Sequence, residues 1–516
     1  MLDFSRLIAP TNDGEVLVEP NPRACVRATL GNAQALSACD VTIAGEPLSK
    51  WRRTTRERLL GVADRPVIVT GHQPAFIHPG VWAKHVVAQS LAEGLGGQAV
   101  NLVVDNDAPG ETTMAVPSVV GGQVKLVHVE FASLPAGHAY EQLSRFDQGQ
   151  VERFRSALRE ALGSRYETTQ LPAFFSGFKA DGEAEDWVDQ AVAGRHAVEA
   201  PFGVDLLDRR VSRFCLEPLL VELVTNSERF WVSYNKSLDE YRRRHRVRGH
   251  QRPIPNLTVE GDRRELPIWA YRKNQARRRV YVSSDGKAVR LDGDGELIAE
   301  LNRDFLCDCT RWPILPGREM GWMLRPRALT LTLWARLFLA DIFIHGIGGA
   351  KYDRITDLLI SDYFGIDAPK MMCVSATLWL DLPRGGTTRE QLRNQRRILR
   401  DLEWNPQRYV EPGEDVSRMI RKRAEAIALS QKLRGAGGAK RSDRREVFQQ
   451  IRSLNKTMRK MISSTQLARA KALEQTVRQF RRDQIAQSRE FFFGLYCAKD
   501  LRRLVKALPD PGAFRV

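Results

Sequence analysis

A histidine and an amide follow directly on a short apolar run. Residues 66–70 are mostly β-branched and are succeeded by Gly71, His72 and Gln73, and helical spacing begins at about residue 81. Polar groups between a strand end and a helix N-terminus lie where open α/β sheets bind ligands. We therefore predict that His72 is an acid/base group or an anion donor, that Gln73 orients the substrate, and that Gly71 contributes backbone contacts. The alternative is that His72 only stabilises a turn.

Two carboxylates follow a second apolar run. Residues 99–104 read as the next strand, and Asp105, Asn106 and Asp107 close it. Carboxylates in this position can hold an amino or hydroxyl group, or a divalent metal. We predict that Asp105 and Asp107 hold an amino group and that Asn106 contacts the substrate. Ordinary turn chemistry is the alternative, because Asp and Asn often occupy strand ends for backbone reasons.

A glycine-rich run lies at 345–351. It contains His345, Gly348, Gly349 and Lys351, and it follows a long apolar segment, 329–344, for which we predict a helix. A glycine-rich run after a helix is not a dinucleotide-binding fingerprint, and the Gly-Lys-Ser/Thr order of a P-loop is absent. Glycines still allow a ligand close to the backbone, and a lysine can meet an anion. These four residues are predicted to bind substrate, with a helix-joining turn as the alternative.

Arg325 and Arg327 flank a proline just upstream of this run. Guanidinium groups recognise carboxylates and phosphates through paired hydrogen bonds, so both arginines are predicted to bind substrate. A solvated surface is the equal alternative.

The cysteines and the remaining histidines do not form a metal-binding pattern. Cys307 and Cys309 have no second pair at zinc-finger spacing, and His72, His78 and His85 do not match a known ligand spacing. We predict no metal site.

The elements that position these residues begin with a βαβ unit. Strand 66–70, helix 81–92 and strand 99–104 fall within about 40 residues, and that order predicts a parallel, covered sheet. A helix is predicted at 51–60 and another over 211–225. A further strand is predicted over 371–380, whereas residues 1–50 look irregular and partly helical.

Two segments differ in character from this core. Residues 240–310 are rich in arginine and contain strand and turn signals, which predicts an inserted β-rich piece. The arginine cluster at 242–252 resembles a phosphate-binding stripe, and a salt-bridged surface is the alternative. Residues 388–434 and 443–490 read as two helical arms around the glycines at 435–438, which predicts an antiparallel helical hairpin. Its coiled-coil seam would repeat every three or four residues, at Val447, Ile451, Leu454, Met458 and Met461.

The positive charge of the chain is concentrated in this helical segment. The formal net charge is +17, and residues 389–506 alone hold 30 Lys and Arg against 13 Asp and Glu, so the rest is neutral. Such a field attracts nucleic acid, phosphorylated ligands or an acidic partner. An arginine-rich solvated face is the alternative.

Length and composition indicate an ordinary globular protein. A chain of 516 residues with 43% hydrophobic content accommodates two or three domains. No run approaches the ~18 apolar residues of a membrane span, and the first residues lack the order of a signal peptide. Seven scattered cysteines argue for a reducing compartment. We therefore expect a cytoplasmic protein without membrane contact.

The order of these motifs resembles the bacillithiol biosynthesis cysteine-adding enzyme family over roughly residues 65–505. The family's Gly-His-Gln turn is matched at 71–73, its Asp-His-Asp element at 105–107, its Arg-Pro pair at 325–326 and its Gly-Gly turn at 348–349, before a C-terminal coiled coil. Two positions depart from the family pattern. Asn106 replaces a histidine, and the Gly-Gly turn continues as Ala350-Lys351, which replaces an acidic residue by a cation and points to a more anionic substrate.

The resemblance implies a nucleotidyltransferase-like Rossmann core with inserted connecting segments and a C-terminal coiled-coil hairpin that forms a homodimer. We accordingly predict an N-terminal lead-in over 1–60, an α/β core over 61–386 and a basic hairpin over 387–508.

The family joins cysteine to a glucosamine–malate conjugate, so the expected activity is ligase-like or transferase-like, acting on small molecules. The cofactor stays open, with ATP or ADP as the candidate. Two alternatives remain: a nucleic-acid or acidic-partner binding protein that uses the basic hairpin, and an ATP-using nucleotidyltransferase.

Overall fold

The computed structural model describes residues 4–214, 216–249, 254–285, 288–302, 318–435 and 440–515. Cys307, Cys309, Gly437 and Gly438 lie outside the described residues, as do residues 250–252 of the arginine cluster. The chain forms two compact units. The first comprises Met1–Ser118, Leu126–Leu380 and Arg489–Val516, and the second Val119–Lys125 and Asp381–Ser488.

The described strands form four sheets. In chain order they are β1 (Val16–Glu19), β2 (Thr42–Ile43), β3 (Glu46–Pro47), β4 (Val67–His72), β5 (Gln98–Val103), β6 (Thr113–Val120), β7 (Gln123–Glu130), β8 (Leu207–Arg210), β9 (Val259–Glu260), β10 (Arg263–Tyr271), β11 (Arg278–Ser284), β12 (Ala288–Gly293), β13 (Glu296–Asn302), β14 (Met323–Pro326), β15 (Ile342–His345) and β16 (Met371–Ala376).

The α-helices cover much of the rest of the described chain. They are α1 (Pro22–Ala38), α2 (Leu48–Leu60), α3 (Pro79–Leu95), α4 (Gln148–Leu162), α5 (Leu171–Gly177), α6 (Trp187–Glu199), α7 (Glu217–Thr225), α8 (Ser227–His245), α9 (Ala328–Trp334), α10 (Ile347–Tyr352), α11 (Arg354–Leu359), α12 (Arg389–Trp404), α13 (Glu414–Gly435), α14 (Arg441–Met461), α15 (Ser463–Ala486) and α16 (Ala498–Ala507).

The central sheet has the order β1-β16-β15-β4-β5-β8. Strands β16, β15, β4, β5 and β8 are parallel, and β1 adds an antiparallel edge. The predicted βαβ unit is confirmed, because α3 connects β4 to β5 and places His72 opposite Val103. The chain is thus a mixed α/β protein with a parallel-containing sheet. Its strand order reverses between β4 and β15.

A buried carboxylate attaches α2 to the sheet. The side chain of Asp341, 1% exposed, accepts hydrogen bonds from Arg52 at 2.8 Å and Arg56 at 2.7 Å. It also accepts from the backbone N–H of Val67 at 2.8 Å, at the start of β4. One carboxylate therefore fixes the helix, the first residue of β4 and the approach to β15.

The predicted helix over 329–344 is wrong in its second half. Helix α9 ends at Trp334, a π-helical turn occupies Ala335–Leu339, and Ile342–His345 form the central strand β15. The segment is almost wholly buried, so its continuous apolar character does not distinguish helix from strand. The correction matters because the glycine-rich run now follows a strand.

Two further boundaries differ from the predictions. Residues 1–50 are more regular than expected, since they supply strand β1 and the 17-residue helix α1, which is capped by Asn21. The helix predicted over 211–225 begins with a 3-10 turn at Val211–Arg213, and α7 starts only at Glu217, where Pro218 suits a first helical turn.

The β-rich insertion is confirmed. Strands β13, β12, β11, β10 and β14 form an antiparallel sheet, and β9 pairs with β10. In the preceding helix, Arg242 is buried and bonds to Asp239, Asn256 and the carbonyl of Ile254, whereas Arg243 and Arg244 both pair with Glu240. Within the described residues, these contacts favour the salt-bridged interpretation of the arginine cluster.

The second unit is helical. Helix α13 packs on α14 and α12 packs on α15. Each predicted arm is divided, the first by residues 405–413 and the second at Ile462. Of the predicted seam, Val447 and Met458 are buried, but Met461 is 53% exposed and Ile462 is buried instead. The regular spacing fails there because the helix is interrupted. In the parts of the chain that the structure describes, no helix is both long and apolar enough to cross a bilayer.

Candidate functional site

The carboxyl ends of β4 and β15 lie side by side. The two strands pair in parallel, with Ile344 opposite Thr70, so His345 and Gly71 occupy neighbouring positions at the sheet edge. This is also the point at which the strand order reverses. Open α/β sheets bind ligands in the crevice at such a point.

His72 is the last residue of β4 and is a neutral imidazole at pH 7. Burial, reinforced by the charge of Lys84, lowers the pKa of His72 to about 4. Its Nδ1 lies 3.1 Å from the backbone oxygen of Gln73, so Nδ1 carries the proton and Nε2 is left as an acceptor. Of the two predicted roles, this geometry favours acid/base chemistry over a cationic anion donor.

Lys84 on α3 supports the same strand end. The side chain is buried and its Nζ donates to the carbonyl of Gly71 at 2.8 Å. Burial lowers the pKa of Lys84 to about 8. The lysine therefore fixes the backbone of Gly71 beside the histidine.

A small cavity of about 30 Å³ lies at His72. Its lining includes polar side chains, the loop 74–77 and aromatic rings. The polar lining residues are His72, Gln73, His85, Asn101 and Arg195, and the aromatic ones are Phe76, Phe174 and Phe492. The lining combines apolar groups with a few convergent polar groups, as the lining of a small-molecule site does, but the volume is below the roughly 300 Å³ of a typical ligand pocket.

His85 presents an unpartnered nitrogen in this cavity wall. Its side chain is 1% exposed, and its Nδ1 lies 2.7 Å from Oε1 of Glu199, which is equally buried. The carboxylate accepts a hydrogen bond from Nδ1–H, so Nε2 is an acceptor, and Nε2 is buried without a hydrogen-bond partner. Burial lowers the pKa of His85 despite the opposing effect of Glu199. The pair has the form of a histidine oriented by a carboxylate for proton transfer.

Asp208 on β8 holds two further polar residues of the cavity lining, Arg195 and Asn101. Its carboxylate pairs with Arg195 and His196 and accepts from Nδ2 of Asn101 at 2.7 Å. Burial alone would raise the pKa of Asp208, but Arg195 outweighs it and holds that pKa well below its ordinary value. Arg195 is thereby fixed as a cation, and Oδ1 of Asn101 remains buried without a partner.

The three residues after β5 have separate environments. Asp105 is fully buried and accepts from Arg210 Nε at 2.7 Å and from the backbone N–H of Ser212 at 2.9 Å. Burial raises the pKa of Asp105 although Arg210 opposes the shift. Its carboxylate therefore holds the segment that contains Arg210 and Ser212.

Asn106 and Asp107 point in other directions. The buried Asn106 donates from Nδ2 to the carbonyl of Pro326 at 2.8 Å. Asp107 has a side chain that is 43% exposed, and it accepts from Gln73 Nε2 at 2.5 Å and from Arg277 at 2.7 Å. Of the predicted acids, Asp107 is the one that contacts a residue of the β4 end.

Both predicted arginines are occupied by carboxylates. Arg325 donates from Nε and Nη2 to Glu141, at 2.8 Å each, and is 8% exposed. Arg327 pairs with Glu265 at 2.8 Å and stacks on Trp269, with its guanidinium carbon 4.2 Å from the ring centre. The guanidinium group of Arg325 is therefore used within the protein, whereas Nε and Nη2 of Arg327 are buried without a hydrogen-bond partner.

The glycine-rich turn leads from β15 into α10. His345 is buried with Nε2 at 3.0 Å from Asp353, and a Cβ on Gly349 would lie 2.9 Å from its Nδ1. Gly348 is exposed, and a Cβ there would meet nothing within 4 Å. Lys351 is partly exposed and has no ion pair among the residues the structure describes. An open backbone and a cation without an ion pair among the described residues thus follow β15, the strand that pairs with β4, but residues 345–351 do not line the cavity at His72.

Sequence reasoning missed the roles of His85, Glu199, Arg195 and Asp208. His85 was considered only as a metal ligand, and its partner Glu199 is 114 residues away. Helical spacing marks His85 as an inward-facing position of α3, but no local signal identifies a distant carboxylate.

Acid should destabilise the protein through His72. Its folded pKa of about 4 lies below the ordinary value of 6.5, so between these values the unfolded chain binds more protons. The contribution of His72 to the free energy of unfolding is fully present above pH 6.5, and it falls by up to about 3 kcal/mol as the pH approaches 4. In urea titrations at pH 7 and pH 4, His72→Gln should lose less stability than the wild type by about that amount. Equal losses in both proteins would contradict the assignment.

Among the described residues, no group of three or more His, Cys, Asp and Glu side chains is arranged to hold a metal ion. Scans of the sequence against protein-family models and against curated proteins give no match.

Proposed function

We propose that the protein is a ligase-like or transferase-like enzyme that joins an amine or amino acid to a small acidic or sugar-containing acceptor. The observation that carries the proposal is the pair of neutral imidazoles, His72 and His85, in one cavity at the carboxyl edge of the sheet. The resemblance to the cysteine-adding family suggests cysteine as one substrate and a glucosamine–malate conjugate as the other.

The strand order supports a Rossmann-like core. The parallel strands follow the order β8-β5-β4-β15-β16, in which the first parallel strand, β4, is central and the next two lie to one side. The dinucleotide-binding arrangement has the same order of its first five strands. In that arrangement, ligands bind where the strand order reverses, and the corresponding position in this chain lies between β4 and β15.

The imidazoles suit the activation of a nucleophile. An amine or thiol attacks only after losing a proton, and a neutral imidazole with a free Nε2 accepts it. His85 resembles other catalytic bases in being oriented by a carboxylate, Glu199. The nucleophile then forms the new bond to a carboxyl carbon of the acceptor while its C–O bond breaks, and the departing oxygen takes the proton from the imidazolium and leaves as water.

The glycine-rich turn suits an anionic group of the acceptor or of ATP. Gly348 leaves its backbone accessible, and Lys351 supplies a cation with no competing carboxylate among the described residues. Because this turn follows strand β15, the objection that the run follows a helix no longer applies, whereas the Gly-Lys-Ser/Thr order of a P-loop is still absent. The same feature favours the second candidate, an ATP-using nucleotidyltransferase.

Gly348→Val tests the turn. A side chain there fills open space in the free protein, so the melting temperature should not change, but it should block an approaching anion. The protein is incubated with cysteine and a glucosamine–malate conjugate, with and without ATP, and products are identified by mass spectrometry. We expect a condensation product whose yield falls at least tenfold in Gly348→Val.

Gly182→Val is the matched control, since Gly182 is also exposed with nothing within 4 Å of a Cβ. Pyrophosphate release from ATP without a condensation product would favour the nucleotidyltransferase. Absence of product together with unchanged ATP binding in Gly348→Val would refute both candidates.

A further inference from the structure

The second unit contains a groove that is separate from the cavity at His72. It is lined by residues of α12, α13 and α14 and has a volume of about 520 Å³. Its lining combines unpaired arginines with exposed aromatic rings. The charged and aromatic side chains of the lining include Arg397, Arg400, Arg434, Asp401, Trp404 and Phe448.

The groove carries an uncompensated positive charge. Arg397, Arg400 and Arg434 have no ion-pair partner among the residues that the structure describes. Asp401 is the one carboxylate in the lining, and it is occupied by Arg408 at 2.9 Å and by the hydroxyl of Tyr409 at 2.9 Å. Three guanidinium groups are therefore available to an anionic ligand.

Two aromatic rings stand open beside these cations. Trp404 and Phe448 are each 44% exposed. The backbone of Trp404 is held in place, because its carbonyl accepts from Arg423 at 2.7 Å and from Asn455 at 3.2 Å, and both donors are buried. Exposed rings on a fixed backbone next to free guanidinium groups form a surface on which planar groups can stack.

We propose that this groove binds single-stranded nucleic acid, with phosphates on the arginines and bases stacked on Trp404 and Phe448. Single strands provide both partners at once, since each phosphate is followed by a flat base. An acidic peptide would satisfy the arginines but would leave the two rings exposed. The positive charge of the whole helical segment adds long-range attraction.

The test measures binding of fluorescent 12-residue oligouridylate and oligothymidylate to the full chain at 50–200 mM salt. Replacing Arg397, Arg400 and Arg434 together by glutamine should weaken binding and reduce the slope of log K against log salt by about 2, at ~0.7 per phosphate contact. Trp404→Ala should weaken binding about tenfold, and Trp404→Phe should restore most of it.

The charge-matched control replaces Arg469, Lys471 and Arg481, which are exposed on α15 and do not line the groove. Equal weakening by both triple variants would overturn the proposal, because the binding would then reflect net charge alone. Unchanged binding in Trp404→Ala and in Phe448→Ser would also overturn it, as would displacement of the oligonucleotides by polyglutamate at equal charge concentration.

Discussion

Asp341→Asn is expected to lower the free energy of unfolding by about 3–5 kcal/mol. The substitution keeps the shape of the side chain but removes the single charge that faces two buried guanidinium groups, those of Arg52 and Arg56. Burial, followed by repulsion from Arg56, already lowers the pKa of Arg52 to about 10 even with Asp341 present. Without the carboxylate, two cations remain buried and uncompensated. Urea denaturation followed by circular dichroism measures the loss.

The control is Glu217→Gln, at an ion pair whose arginine is exposed to solvent. Arg58, its partner at 3.0 Å, has a side chain that is 44% exposed, so this change should cost no more than about 1 kcal/mol. A comparable loss of stability in the two variants would show that the buried Asp341 cluster contributes no more to the free energy of unfolding than the Arg58–Glu217 ion pair.

His85→Gln is expected to reduce turnover by about 10²–10⁴-fold, the usual contribution of a general base. Glutamine can still donate to Glu199, so the buried carboxylate keeps a hydrogen-bond partner and the fold should persist. The proton-accepting Nε2 is lost. The measurement is the rate of condensation of cysteine with the glucosamine–malate conjugate, alongside the melting temperature.

His128→Gln serves as the matched control, because His128 has a side chain that is 49% exposed and does not line the cavity. Turnover within twofold of the wild type in His85→Gln would remove His85 from the proposed mechanism and would leave His72 as the remaining base. Normal turnover in both His72→Gln and His85→Gln would show that the cavity has no catalytic role.

The sequence by itself determined the βαβ unit and the inserted β-rich piece. Residues 66–70 and 99–104 are short apolar runs around an amphipathic helix, and such local periodicity reports directly on which face of an element is buried. The same logic succeeded for the strand predicted at 278–282, which lies within β11, whereas the turn predicted after it begins later than Ser284 and falls partly outside the described residues. Local patterns of this kind need no knowledge of the rest of the fold.

Only the tertiary structure decided which groups meet at the sheet edge. The run 329–344 is apolar throughout, so its division into helix and central strand depends on packing from all sides. The two predicted acids do not lie together, since Asp105 accepts a hydrogen bond from Arg210, 105 residues away. The proposed base His85 is likewise oriented by a distant residue, Glu199. A charge finds its partner by proximity in the folded chain, and the spacing of residues along the sequence does not contain that distance.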